Sequence, residues 1–138
     1  MKNVFFLTLS LLLLVLAGCG DKVTLRGKAT FSDNGEPVPV GTVCFETDVF
    51  LARGDLKPDG TFIVGSLKAS DGLPPGKYRV YITGAEKIID TDEKGINKYE
   101  LLIDPKFADG KKSGIELEVT ASTKTFDVVV DRNPDAKN

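Results

Sequence analysis

The chain has 138 residues, with 18 Lys and Arg against 20 Asp and Glu for a formal net charge of −2, no histidine, no tryptophan and only two cysteines. The lack of histidine excludes Ser-His-Asp and Cys-His catalysis, His-ligated zinc or haem and a histidine pH switch. The near-balanced charge lacks the clustered basic surface that nucleic acid requires, and the length fits one domain with enough chain for a core.

The chain opens with Lys2 and then a nearly unbroken apolar run from Val4 to Leu16, broken only by Thr8 and Ser10. At about 1.5 Å per residue such a helix falls short of the roughly 30 Å hydrocarbon core, so the run reads as a signal-peptide h-region over residues 1–18. The segment Leu16-Ala17-Gly18-Cys19 resembles the lipobox of bacterial lipoproteins. That resemblance implies cleavage before Cys19, diacylglycerol on its thiol and acylation of the new amino terminus. The simpler alternatives are an ordinary secretory signal with an incidental Cys19, or an uncleaved anchor. One acyl chain holds only marginally, at about 0.8 kcal/mol per buried CH₂, whereas several chains on one residue hold durably. The implied location is extracytoplasmic and membrane-anchored; Gly20, rather than aspartate, after Cys19 mildly favours an outer membrane where the host has two. With Cys19 taken by lipid, Cys44 has no partner for a disulfide and reads as a small buried strand residue.

Residues 19–22 form a short tether. Val23, Leu25, Gly27, Ala29 and Phe31 then alternate with polar residues, as in a strand with one buried face. Ser32-Asp33-Asn34-Gly35 carries turn chemistry. Further strands are expected at Gly41–Glu46, with Val43 and Phe45 inward, at Phe50–Leu56, and at Thr61–Val64 after the Lys57-Pro58-Asp59-Gly60 turn. Leu73-Pro74-Pro75-Gly76 launches residues 77–83, a central strand with Tyr78, Val80 and Ile82 on one face and Arg79 and Tyr81 on the other. Residues 85–98 read as a charged surface loop. Alternation returns at Tyr99, Leu101 and Ile103, at Ile115, Leu117 and Val119, and at Phe126, Val128 and Val130. Residues 132–138 read as a frayed tail. The pattern predicts an all-β fold over residues 23–131, a seven- to eight-stranded sandwich.

The order of these pieces resembles the carboxypeptidase-regulatory-like, transthyretin-like (prealbumin-type) domains of small bacterial lipoproteins. It runs through Gly27–Phe31, Pro37–Glu46, Ala52–Phe62, Leu73–Val80, Ile103–Phe107 and Ser113–Ile115. The resemblance implies a Greek-key sandwich without catalytic activity of its own. The transthyretin-like hydrolases depend on histidines and a C-terminal tetrapeptide that are absent here, so no catalytic residue carries over.

Asp90-Thr91-Asp92-Glu93-Lys94-Gly95 opens like a calcium loop, but Lys94 and Leu101 stand where an EF-hand needs oxygen ligands. A solvated acidic loop is the simpler reading, with a looser surface cation site as the alternative. Asp55, Asp59 and Asp71 sit beside Gly or Pro, where aspartate serves turns. Arg79 and Tyr81, with Arg53 and Lys77, form either a basic aromatic contact patch or a solvent face of cross-strand pairs. Phe107 is either an exposed contact or, preferably, a plug over one sandwich end. The expected function is a non-catalytic, lipid-anchored envelope module with a protein-interaction or structural role, contacting a partner through a sheet edge or loops. Its alternative is a lipoprotein that binds a small solute, glycan or cation through residues 85–98 and the loop near Phe107. No nucleic acid, no metal and no cofactor beyond the lipid on Cys19 is expected.

Overall fold

A computed structural model describes residues 21–68 and 70–136; the signal segment, the lipobox and Cys19 lie outside them. The described residues form nine strands: β1 (Arg26–Phe31), β2 (Thr42–Glu46), β3 (Leu51–Asp55), β4 (Thr61–Ile63), β5 (Gly76–Thr83), β6 (Glu86–Thr91), β7 (Asn97–Leu101), β8 (Ile115–Val119) and β9 (Val128–Val130). A three-stranded sheet in the order β4-β1-β9 packs on a four-stranded sheet in the order β3-β2-β5-β8. The chain changes sheet after β1, β3, β4 and β8, which gives the Greek-key character. Seven strands therefore build the sandwich, as expected, and β6 and β7 pair only with each other.

The period-2 alternation is realised as one core. Ala29 and Phe31 of β1, Phe62 of β4 and Val128 and Val130 of β9 face Val43 and Phe45 of β2, Ala52 of β3 and Tyr78, Val80 and Ile82 of β5. Phe45 contacts the rings of Phe62 and Phe126, with centroids 6.1 and 6.4 Å apart, within the range where tilted aromatic pairs attract. Glycine makes room for this aromatic layer: a Cβ on Gly27 would collide with the Phe126 carbonyl and the Phe62 ring. The central position expected of β5 is observed, with β2 on one side and β8 on the other.

Turn chemistry closes the ends. In the β3–β4 turn the Gly60 amide donates to the Lys57 carbonyl at 2.7 Å, and the Asp59 carboxylate accepts from the Thr61 amide and hydroxyl. Gly60 has φ +81° and a Cβ there would meet the Ala29 carbonyl, so glycine is required on both counts.

Two expectations are corrected. Residues 85–98 are not a loop but most of the β6–β7 hairpin, with Glu86 opposite Leu101 and Thr91 opposite Asn97. Every residue of β6 is exposed, so the one-sided burial that writes alternation into a sequence is missing. The frayed tail also starts later than residue 132. The Arg132 guanidinium lies 3.8 Å over the Phe31 ring and donates to Asp33 at 2.8 Å and Glu36 at 2.6 Å. The Asn133 amide donates to the Leu102 carbonyl at 3.0 Å. A cation over a core aromatic with two carboxylate acceptors outweighs the entropy of a free end.

Candidate functional site

The outward face of the β3-β2-β5 sheet carries the residues that the sequence groups as a patch. Strand register sets Arg53, Cys44 and Tyr81 side by side in one row. Asp55, Thr42 and Thr83 form the next row, and Leu51, Glu46 and Arg79 lie on the other side. Gly65 bridges to Arg53 and carries the chain along the β3 edge, so residues 65–68 wall an open concavity of about 840 Å³ over Thr42, Cys44, Arg53 and Tyr81.

Within this face Arg79 belongs to a structural pair. Its Nη2 donates to Asp48 at 3.1 Å and approaches Glu46 at 3.5 Å. Exposed or half-exposed pairs of this kind contribute at most about 1 kcal/mol each, and both acceptors meet the same Nη2 while the buried Nε has no partner among the described residues. Lys77 likewise pairs with Glu116 at 3.5 Å. Tyr81 is half-buried, and its ring lies against Gly110, where a Cβ would come within 2.9 Å. Arg53 differs: it is exposed, and its side chain has no hydrogen bond to any described residue. The open cation of the patch is thus Arg53 rather than Arg79.

Cys44 lies beneath this row at 3 % exposure, with its Sγ 3.8 Å from the Thr42 carbonyl and 3.9 Å from the Thr83 hydroxyl. Burial pushes the thiol up, against a smaller opposing pull from the Thr83 hydroxyl and Arg53. A thiol so raised stays protonated at neutral pH and is a poor nucleophile. Burial also raises the Tyr81 hydroxyl, helped by the neighbouring Cys44 and Glu46. What the face offers chemically is a guanidinium, several hydroxyls and a carboxylate held by Thr42 (2.8 Å to Asp55), a set suited to binding polar groups.

Phe107 is removed from the candidate contacts. It sits in a short 3-10 helix, Pro105–Ala108, capped by Asp104, whose carboxylate accepts from the Lys106 amide at 3.0 Å. Its ring belongs to the core cluster at 8 % exposure, with the Lys106 ammonium 4.7 Å from the ring centre. It is therefore a plug, because the Asp104-Pro105 turn directs the ring inward beside β5.

The calcium-like stretch is the hairpin turn. The Asp92 carboxylate accepts from the Lys94 and Ile96 amides at 2.9 and 2.8 Å, which occupies it as a turn cap. No cluster of three or more Asp, Glu, His or Cys side chains converges among the described residues. The sequence reading placed residues 85–98 at the surface but missed their strand pairing and their apolar cluster: Ile88, Ile89, Ile96 and Tyr99 are between 46 % and 63 % exposed. The Ile88-Ile89 doublet inside a charged stretch was the available signal.

No protein-family model matches this chain. No curated protein matches it either. Among solved structures it is similar to the major pilin subunit BcpA of Bacillus cereus, at 16% identity and a TM-score of 0.47, covering 81% of this chain and 30% of that one. It is also similar to a DUF3823 family protein from Bacteroides ovatus, at 19% identity and a TM-score of 0.43, covering 79% of this chain and 44% of that one. A 9R-lipoxygenase from Cyanothece aligns at 16% identity and a TM-score of 0.42, over 84% of this chain and 18% of that one. The chain spans less than half the length of each. What those proteins do belongs to them alone.

Proposed function

We propose that this chain is a non-catalytic module of the cell envelope, anchored by lipid on Cys19, that engages an envelope protein through the β6–β7 hairpin. The observation that carries this reading is the hairpin itself. It leaves the sandwich after Thr83, and Ile88, Ile89, Ile96 and Tyr99 remain exposed on it. The opposite end of β5 pairs with the end of β8, whose link to β9 returns beside the first residues of β1. A tether at the amino terminus and a contact surface at the far end suit a module held on one side and bound on the other. A cluster of exposed apolar side chains on a projecting ribbon is a common marker of a protein contact.

The test is in-cell cross-linking followed by affinity purification, comparing wild type with Cys19→Ala and with the double variant Ile88→Ser, Ile96→Ser. The expected outcome is an envelope protein captured by the anchored wild type and lost from the double variant. Equal capture by the double variant would overturn the hairpin assignment. Retention of Cys19→Ala in detergent-free membrane fractions would overturn the anchor. A second reading, a polar small solute or glycan on the concave face, is favoured by the open Arg53. It predicts that Arg53→Ala abolishes ligand-induced stabilisation while hairpin substitutions leave it intact.

A further inference from the structure

The two most exposed large apolar side chains among the described residues are Val49, at 95 %, and Leu67, at 90 %. Both lie at the end of the sandwich where the chain enters it. Leu67 follows β4, whose last residue, Ile63, pairs with Arg26 at the start of β1. Val49 is in the β2–β3 turn, beyond the Glu46–Arg79 pair that marks the starting end of β5. The hairpin stands at the other end.

The amino-terminal root is fixed to the Leu67 loop. The Lys22 ammonium donates to the Ser66 hydroxyl at 2.8 Å and to the Asp71 carboxylate at 2.9 Å. Asp71 also accepts from the backbone amides of Ser66, Leu67 and Lys68. These donors, the Ser66 amide first and Lys22 second, hold the carboxyl well below the usual carboxylate range. Val23 adds two backbone hydrogen bonds to Leu73, at 2.8 and 3.1 Å. Only Gly20 and Asp21 separate Cys19 from the clamped Lys22, and three residue steps span at most about 11 Å when fully extended. Lipid on Cys19 would therefore hold this end of the domain at headgroup level.

The charge at this end matches such a surface. Arg26, Lys68 and Lys124 form no ion pair with any described residue. Arg26 and Lys124 line one concavity with Lys22 and Asp21. The acidic residues here are Asp71, paired with Lys22, Glu46 and Asp48, paired with Arg79, Glu118, opposite Lys77 in the β5–β8 ladder, and the exposed Asp21, so the open cations lie on the β1 side of this end.

We propose that this end of the sandwich is a membrane-contact face: Leu67 and Val49 enter the headgroup boundary of an anionic bilayer while Arg26, Lys68 and Lys124 meet its phosphates. Apolar tips flanked by cations suit that boundary, where side chains reach about 5–10 Å below the headgroups. The proposal rests on the lipid-anchored reading above and adds to it a fixed orientation, with the hairpin pointed away from the membrane.

The chain has no tryptophan, so one introduced tryptophan reports its own depth. The full lipidated chain carrying Leu67→Trp, Val49→Trp or Ile96→Trp is reconstituted in vesicles of phosphatidylethanolamine and phosphatidylglycerol with brominated acyl chains. The amino-terminal peptide is weighed by mass spectrometry. The expected result is blue-shifted emission for Leu67→Trp and Val49→Trp, with quenching at least about twofold stronger than for Ile96→Trp. Adding Lys68→Glu and Lys124→Glu to Leu67→Trp is expected to weaken that quenching. Equal quenching at all three positions, with lipid mass present on Cys19, would overturn the contact face and leave the anchor standing. An amino-terminal peptide without lipid would overturn both.

Discussion

Single side chains at the chain's turns and ends do more than their exposure suggests. Asp71 gathers three backbone amides and Lys22 around one carboxylate, and this network lowers its pKa. A depressed carboxylate contributes stability that is fully present above its unfolded value, near 3.9, and is lost as pH falls through the lower folded value. Asp71→Asn is accordingly expected to be less stable than wild type at neutral pH, with the gap closing below about pH 4; chemical denaturation across pH measures it, and a gap independent of pH would refute this reading. Phe107 presents a simpler case. Truncation of a ring at 8 % exposure leaves a cavity beside β5, so Phe107→Ala should cost about 3 kcal/mol, with Phe107→Leu costing clearly less. The sequence favoured the plug for Phe107 without fixing it, because an Asp-Pro-Lys-Phe turn specifies a bend, not the direction of its last ring. Arg79 was obscure for a similar reason: its acceptors, Glu46 and Asp48, lie more than thirty residues away in the chain.

Among the elements, the sandwich strands and the β6–β7 hairpin obey different rules. β1, β2 and β5 have one face on the core, and their burial alternates in sequence as it does in space. Cys44, buried on the outward side of β2, is the exception, covered by the row of Arg53 and Tyr81. β6 has no buried face, so its residues follow no period, and the strand exists through its ladder to β7 and the Asp92-capped turn. An element that buries so little should be dispensable for stability. Replacing residues 87–100 with a short Gly-Ser link, which removes the Lys87–Glu100 ion pair as a unit and keeps Ala85 and Leu101 in place, is expected to shift Tm by less than about 4 °C. A loss of cooperative unfolding would instead make the hairpin part of the core.

For the whole domain, cohesion comes from apolar burial between two sheets, with no disulfide among the described residues. The free cysteine among the described residues is Cys44, buried against Thr42 and Thr83. The domain should therefore melt in one cooperative step whose midpoint is the same with and without reductant. Cys44 should resist thiol reagents until that step, because its thiol is both covered and raised. Early labelling below the transition would show that the Arg53–Tyr81 row opens locally.

The fold class was legible because each sandwich strand carries its burial pattern within itself and each tight turn carries its own Gly, Pro or Asp signal. Val80 and Phe62 declare their inward faces, and Gly60 its turn, from their immediate neighbours in the sequence. The local sequence around residues 16–19 sets the lipobox expectation in the same way. Only the tertiary structure decided which cations are engaged and which are open, since Arg79 and Arg132 find their acceptors across the fold whereas Arg53 finds none among the described residues. It alone placed Leu67 and Val49 at the end of the sandwich where the tether enters and Ile88 and Ile96 at the other. The physical reason is one of range: alternation and turn propensity act over a few residues, whereas charge pairing and the ends of a sandwich are set by strands far apart in the chain.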